Sequence, residues 1–145
     1  MASFKTIDDL EVFRSAEELA DAVWHVVISW ETFARQTVGG QLVRAADSVG
    51  ANLAEGHASG SFAEFKRFAV YSRRSLAEVR FFLRRAHARQ LLSVDQTHDL
   101  QAKLTLLRPR LGQFVKYLNR RVAQSNLKTP RINSSTDQRI NKSQS

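Results

Sequence analysis

The chain has 145 residues, no cysteine, and 22 Lys and Arg against 14 Asp and Glu, a formal charge of +8. That length suits one domain, the missing cysteines exclude disulfides and thiolate metal sites, and the charge favours acidic partners, nucleic acid first. There is no apolar run of about 18 residues and no basic flank followed by an apolar block at the N-terminus, so neither a membrane span nor a secretory signal is expected, and the cytoplasm is the expected location.

Two prolines and weak strand signals leave helical periodicity as the dominant pattern. The first helix is expected to start near Asp8 or Asp9, either of which can cap it. Its inward seam reads Phe13, Ala16, Ala20, Val23, Val27 and Trp30, widened by Val12, Leu19, Val26 and Ile28. From Val23 to Trp30 it is apolar almost all round, more than one packing face requires, which implies a second buried surface against another subunit. Residues 31–38 read as a loop. Gly39 and Gly40 precede a second helix over roughly 40–57, ended by Gly56 and the turn "HASG". Ser61 and Glu64 form a capping-box signature for a third helix reaching about Leu92, and Ser93 with Gln96 open a fourth reaching about Ala123. The fourth carries the seam Leu100, Leu104, Leu107, Leu111, Phe114, Leu118 and Val122, interrupted by Pro109, which should kink it. Residues 1–125 are thus expected to form an all-α, antiparallel up-down-up-down four-helix bundle, and residues 126–145 a disordered basic C-terminal tail.

No Glu has a His three residues later, which a di-iron bundle site would need, and His25, His57, His87 and His98 are scattered. Neither a phosphate-binding glycine loop nor a nucleophile motif occurs. The reading is therefore a protein without catalytic residues, metal or cofactor.

Charge is unevenly placed. Residues 1–31 carry seven acids against Lys5 and Arg14, whereas residues 61–92 carry eight bases against Glu64 and Glu78. On a helical wheel Lys66, Arg73, Arg80 and Arg84 fall within about 40°, and Arg67, Arg74, Arg85 and Arg89 fall in the neighbouring arc. This basic ribbon, joined by Arg110, is the candidate nucleic-acid surface, because phosphates accept charge-assisted bonds and contact releases counterions. Phe81 and Tyr71 lie toward it, where a ring can stack on a base or fill a subunit interface.

The second helix poses a different question. Ser48, Asn52 and Glu55 make a polar line, with Arg44 a turn earlier, where a core seam would be expected. Buried polar groups persist when hydrogen-bonded, so these residues are expected to form an interhelical network with Ser72, Ser75 and Glu78 of the third helix, fixing its register.

The segments "FKTIDDLEVFRSAEELA", "GQLVRAADSVGANLAEG" and "FAEFKRFAVYSRRSLAEVRFFLRRA" together resemble a bacterial family of four-helix-bundle proteins first noted as reading frames inside intervening sequences of large-subunit rRNA. The pattern from Gln41 to Gly56 is the most specific part, followed by Glu64, Phe65, Arg67, Phe68, Ser75, Leu76 and Glu78. The resemblance spans about residues 4–120. It implies a ring-like homo-oligomer, usually a pentamer. It also implies similarity to the accessory variability determinant of diversity-generating retroelements, a basic barrel that binds nucleic acid and a reverse transcriptase. The sequence departs from the family in "ETFARQTVGGQ", which lacks the usual proline-containing loop, and in "AEGHASGS", which replaces a more basic turn. The expected function is a non-catalytic scaffold for RNA or DNA, most specifically such a retroelement accessory protein. The alternative is a protein–protein interaction module that does not touch nucleic acid.

Overall fold

The computed structural model describes residues 6–128. It is all-α, with four long helices, α1 (Glu11–Val27), α2 (Gly40–Ala58), α3 (Phe62–Ala88) and α4 (Val94–Lys128), and no strand among the described residues. No helix among them is long and apolar enough to cross a membrane.

Asp8 and Asp9 stand before the N-cap position of α1. They are taken up in a 3-10 turn, Ile7–Asp9, and the extended residue before the helix is Leu10, which makes no side-chain cap. Leu10 is itself buried, so core packing rather than capping sets the boundary. The inward face of α1 is rotated slightly from expectation. Val12, Ala16, Leu19, Val23 and Val27 are buried, whereas Phe13 and Ala20 are only partly so. The excess apolar surface is present: Trp24 is 51% exposed and Ile28 47%.

Of the expected loop, 31–38, all but Glu31 is helical. The Glu31 carboxylate accepts from the Phe33 and Ala34 amides at 3.0 and 2.9 Å, opening a helical turn, Thr32–Ala34. That turn passes through a π-helical segment, Arg35–Gly39, directly into α2. Gly39 is helical and answers a steric demand. A Cβ there would lie 2.7 Å from Val27 Cγ1 and 3.1 Å from the Ala34 carbonyl oxygen.

Gly56 likewise does not end α2. It is buried inside the helix, and a Cβ on it would lie 2.9 Å from Phe68 Cβ and 3.2 Å from Phe65 Cα, both on α3. The chain turns instead at Gly60, whose φ is +72°. The Ser61 hydroxyl then accepts from the Glu64 amide at 3.3 Å, but the Glu64 carboxylate turns to Arg67 rather than completing the box. α3 stops at Ala88, short of Leu92. The Gln90 amide bonds to the His87 carbonyl and the Leu91 amide to that of Ala86, a Schellman turn with Gln90 at φ 61°. The capping box of α4 is complete: the Ser93 amide donates to Gln96 Oε1 at 3.0 Å, and the Gln96 amide to Ser93 Oγ at 3.1 Å. The helix runs through Pro109 to Lys128, beyond the expected end, with Val115 rather than Phe114 in its buried seam. The rest of the expected tail, 129–145, lies outside the described residues.

The core lies where the four helices meet. α1 packs on α2 and α4, and α3 packs on the same two. Leu19, Leu42, Leu53, Phe65, Leu107, Leu111 and Leu118 have no exposed surface.

Candidate nucleic-acid interface

α3 turns Phe65, Ala69, Ser72, Leu76, Val79, Leu83 and Ala86 inward, and that phase decides where its cations go. Arg67, Arg73, Arg74, Arg80, Arg84 and Arg89 are exposed, while Lys66 and Arg85 are partly buried. Of these eight, only Arg67 has an acid within ion-pair distance among the described residues, Glu64 at 2.7 Å, which also raises the Arg67 pKa. The others meet rings or solvent. Arg67 and Arg74 flank the Tyr71 ring at 5.8 and 5.7 Å, and Arg85 lies 5.9 Å from that of Phe81. The positive charge of α3 is thus left almost wholly uncompensated among the described residues.

Three clefts follow the line where α3 meets α4. Near the start of α3, Lys66, Tyr71 and Arg74 face Val122. In the middle, Arg73 and Arg80 face Thr105, Arg108 and Pro109. At the end, Arg80 and Arg84 face Thr97 and Gln101. Arg80 lines both of the last two, so they adjoin along the α3–α4 groove.

Arg108 lines this groove and is not among the cations that the sequence singles out. Arg110, chosen instead, lies elsewhere: its Nη1 donates to Ser15 Oγ at 2.6 Å and its Nη2 is 4.0 Å from the Glu11 carboxylate. It ties α4 to α1. The distinguishing signal is phase. Arg108 follows Leu107 and stands four residues after Leu104, on the flank turned to α3, whereas Arg110 precedes Leu111 on the other flank.

The expected interhelical polar network needs correction. The Ser48 hydroxyl donates to the Arg44 carbonyl at 2.7 Å, Asn52 Nδ2 to the Ser48 carbonyl at 2.8 Å, and Arg44 Nη1 to Gln41 Oε1 at 3.2 Å. These are rungs up one helix. Glu55 and Glu78 are exposed and Ser75 is half-buried. The bond that crosses is from the Ser72 hydroxyl to the Val49 carbonyl, 2.8 Å and fully buried. At the backbone separation that Gly56 permits, a serine reaches across, and longer polar side chains are pushed to the flank.

Residues 8–113 match the 23S rRNA-intervening sequence protein family, a span that takes in α1, the Gln41–Gly56 stretch, all of α3 and the α4 residues of the last two clefts. This chain belongs to that family. No curated protein matches it closely enough to count as a relative.

In this intervening-sequence protein the α1–α2 line shares no helix with the α3–α4 line, so the two lie on opposite sides. The α1–α2 side is acidic, with Glu17, Asp21 and Asp47 around Phe13, Gly50 and Ala54. Partial burial, and then the charge of Asp21, raise the pKa of Asp47 above the ordinary carboxylate value. No group of three or more His, Asp or Glu lies together in metal-binding reach among the described residues.

Proposed function

We propose that this protein is a non-catalytic cytoplasmic scaffold that binds nucleic acid along the α3–α4 face, as a homo-oligomer of up-down-up-down bundles. The observation that carries the reading is the row of cations on α3, from Lys66 to Arg89, with one ion-pair partner for the eight among the described residues and Arg108 facing it from α4. Such a row fits phosphates and names no base. The up-down arrangement is supported by the order of cross-helix neighbours: as α3 advances from Lys66 to Arg84, its partners on α4 retreat from Val122 to Gln101. Exposed Trp24, Ile28 and Phe33 support a subunit contact, as a ring-like pentamer would need. The most specific form, which rests on the family resemblance, is an accessory subunit that holds RNA or cDNA for the reverse transcriptase of a diversity-generating retroelement. Co-purification with such an enzyme tests that form.

The general reading is tested by titrating a labelled structured RNA, and a single-stranded DNA of equal length, across a salt series. Affinity should fall steeply with salt, and replacing Arg73, Arg80 and Arg84 with Glu should flatten the log–log slope by about 2–3. Unchanged affinity in that variant would show that the surface is wrongly assigned.

The opposed charge of the two sides favours a second reading, in which the acidic α1–α2 side of one copy meets the basic α3–α4 side of the next. A mass measurement in low and high salt separates the two. An assembly held by charge loosens with salt, and one held by the Trp24 surface does not.

A further inference from the structure

The cleft at the end of α3 is built differently from a simple phosphate track. It is a half-open cleft of about 400 Å³, within the range of small-molecule sites. Leu83, Leu92, Leu100 and Leu104 line it, no acid does, and its cations stand on the α3 side. On the α4 side Gln101 is exposed, and its amide has no hydrogen-bond partner among the described residues. A phosphodiester backbone needs the cations alone. It has no use for a leucine-lined recess or a free amide, which offers one acceptor and two donors. A docking helix needs apolar anchors over several turns, but beyond Arg80 the apolar lining of Leu76, Ala77, Pro109 and Leu111 is interrupted by Arg73, Thr105 and Arg108.

We propose that this cleft seats one unpaired nucleotide, with the base on the leucines beside Gln101 and the phosphate on Arg80 and Arg84. The proposal rests on the nucleic-acid reading above and deepens it. A duplex with every base stacked cannot fill the cleft, whereas a single strand, a bulge or a free nucleotide can. The protein should therefore prefer single strands for a reason other than charge, and the adjoining Arg73–Arg108 stretch should carry the flanking phosphates.

The test uses the full chain, a labelled single-stranded RNA, a blunt duplex of equal length, and adenosine monophosphate as competitor. The double variant Ala88→Leu/Gln101→Leu fills the cleft and removes the amide without changing charge. Both positions are exposed on helices, so folding is preserved and is checked by far-UV circular dichroism. The wild type should bind the single strand about tenfold more tightly than the duplex. The variant should lose that margin, while its duplex affinity and salt slope stay at wild-type values. Displacement of the single strand by the monophosphate, from wild type but not from the variant, would show that any nucleotide suffices. Failure to displace, with the margin still lost in the variant, would assign the seat to a nucleotide within a strand. Equal binding of both probes by the wild type, or a margin that survives the double variant, overturns the nucleotide seat and leaves the phosphate-binding face standing. Displacement by polyglutamate that is equal in wild type and variant, with the margin retained, would show a cleft that reads charge alone. Binding of neither probe at low salt overturns the nucleic-acid reading, and this inference with it.

Discussion

The same substitution, glycine to alanine, should have opposite signs at Gly56 and Gly112. Both residues lie inside helices, where alanine is favoured over glycine by about 1 kcal/mol. At Gly112 nothing stands within 4 Å of a new methyl, so Gly112→Ala should gain that amount in full. For a chain of this size that is about 3–4 °C in melting temperature. At Gly56 the methyl would meet Phe68 Cβ at 2.9 Å, Phe65 Cδ1 at 3.0 Å and Phe65 Cα at 3.2 Å. Carbon pairs settle at about 3.5–4.0 Å. Two of the three atoms are fixed to the α3 backbone, so no rotamer change relieves the overlap. α3 must move away, loosening Phe65 and the Ser72–Val49 bond with it. Overpacking costs about 1–3 kcal/mol, and against fixed backbone atoms the upper part of that range applies, leaving a net loss of about 1–2 kcal/mol after the helical gain. Gly56→Ala should therefore melt about 3–6 °C below wild type. Thermal unfolding followed by circular dichroism decides it. If Gly56→Ala melts at or above wild type while Gly112→Ala is raised, the close approach of α2 and α3 is not what glycine provides there.

Gln90 holds a left-handed conformation at the end of α3, so Gln90→Gly should stabilise by about 1 kcal/mol in urea unfolding, and a loss would show that the side chain itself is needed. Ser72→Ala should cost about 1 kcal/mol, since it removes the buried bond to Val49 but leaves no charged group stranded. Asp47 has a pKa raised in the folded state, so the folded chain binds its proton more tightly and stability from this group falls as pH rises through the carboxylate range. Asp47→Asn should accordingly raise the melting temperature at neutral pH, with the gain vanishing in acid, where aspartate is protonated in both states; a gain independent of pH would refute the account. Arg108→Ala should weaken RNA binding and spare stability, whereas Arg110→Ala should lower the melting temperature by breaking the Ser15 contact and leave the salt slope unchanged.

The long elements were legible because their signals are local and redundant. The Ser93–Gln96 box and the leucine seam of α4 can be read from residues three or four apart, and the family pattern from Gln41 to Gly56 carries the fold class directly. What the sequence hid depends on partners distant in the chain. Gly39 and Gly56 read as breakers because a glycine looks the same whether it bends the backbone or makes room for Val27 or Phe68. Glu31 went unread as a cap because the helix it opens passes through a π-helical segment that spoils the periodicity. The polar line of α2 was seen correctly as a line, but its partners lie up its own helix, and only the separation of α2 from α3 could show that. That Arg110 turns to α1 and Arg108 to α3 was hidden for a related reason. Both flank a leucine seam, and the seam alone does not say which neighbour lies on which flank.

The order of helix contacts also bears on how the chain comes to be folded. Three of the four interfaces join helices that follow one another, and the fourth joins the first helix to the last. Contacts that are mostly near in sequence favour folding on the order of microseconds to milliseconds once the chain is whole. During synthesis the timing is different. α1 is complete at Val27, yet the helix that covers its second side does not begin until Val94. At ~5–20 residues per second, that side of α1 waits several seconds for its cover, longer than any other packing surface in the molecule. In the cell, the nascent first helix is the segment on which a chaperone has most time to act.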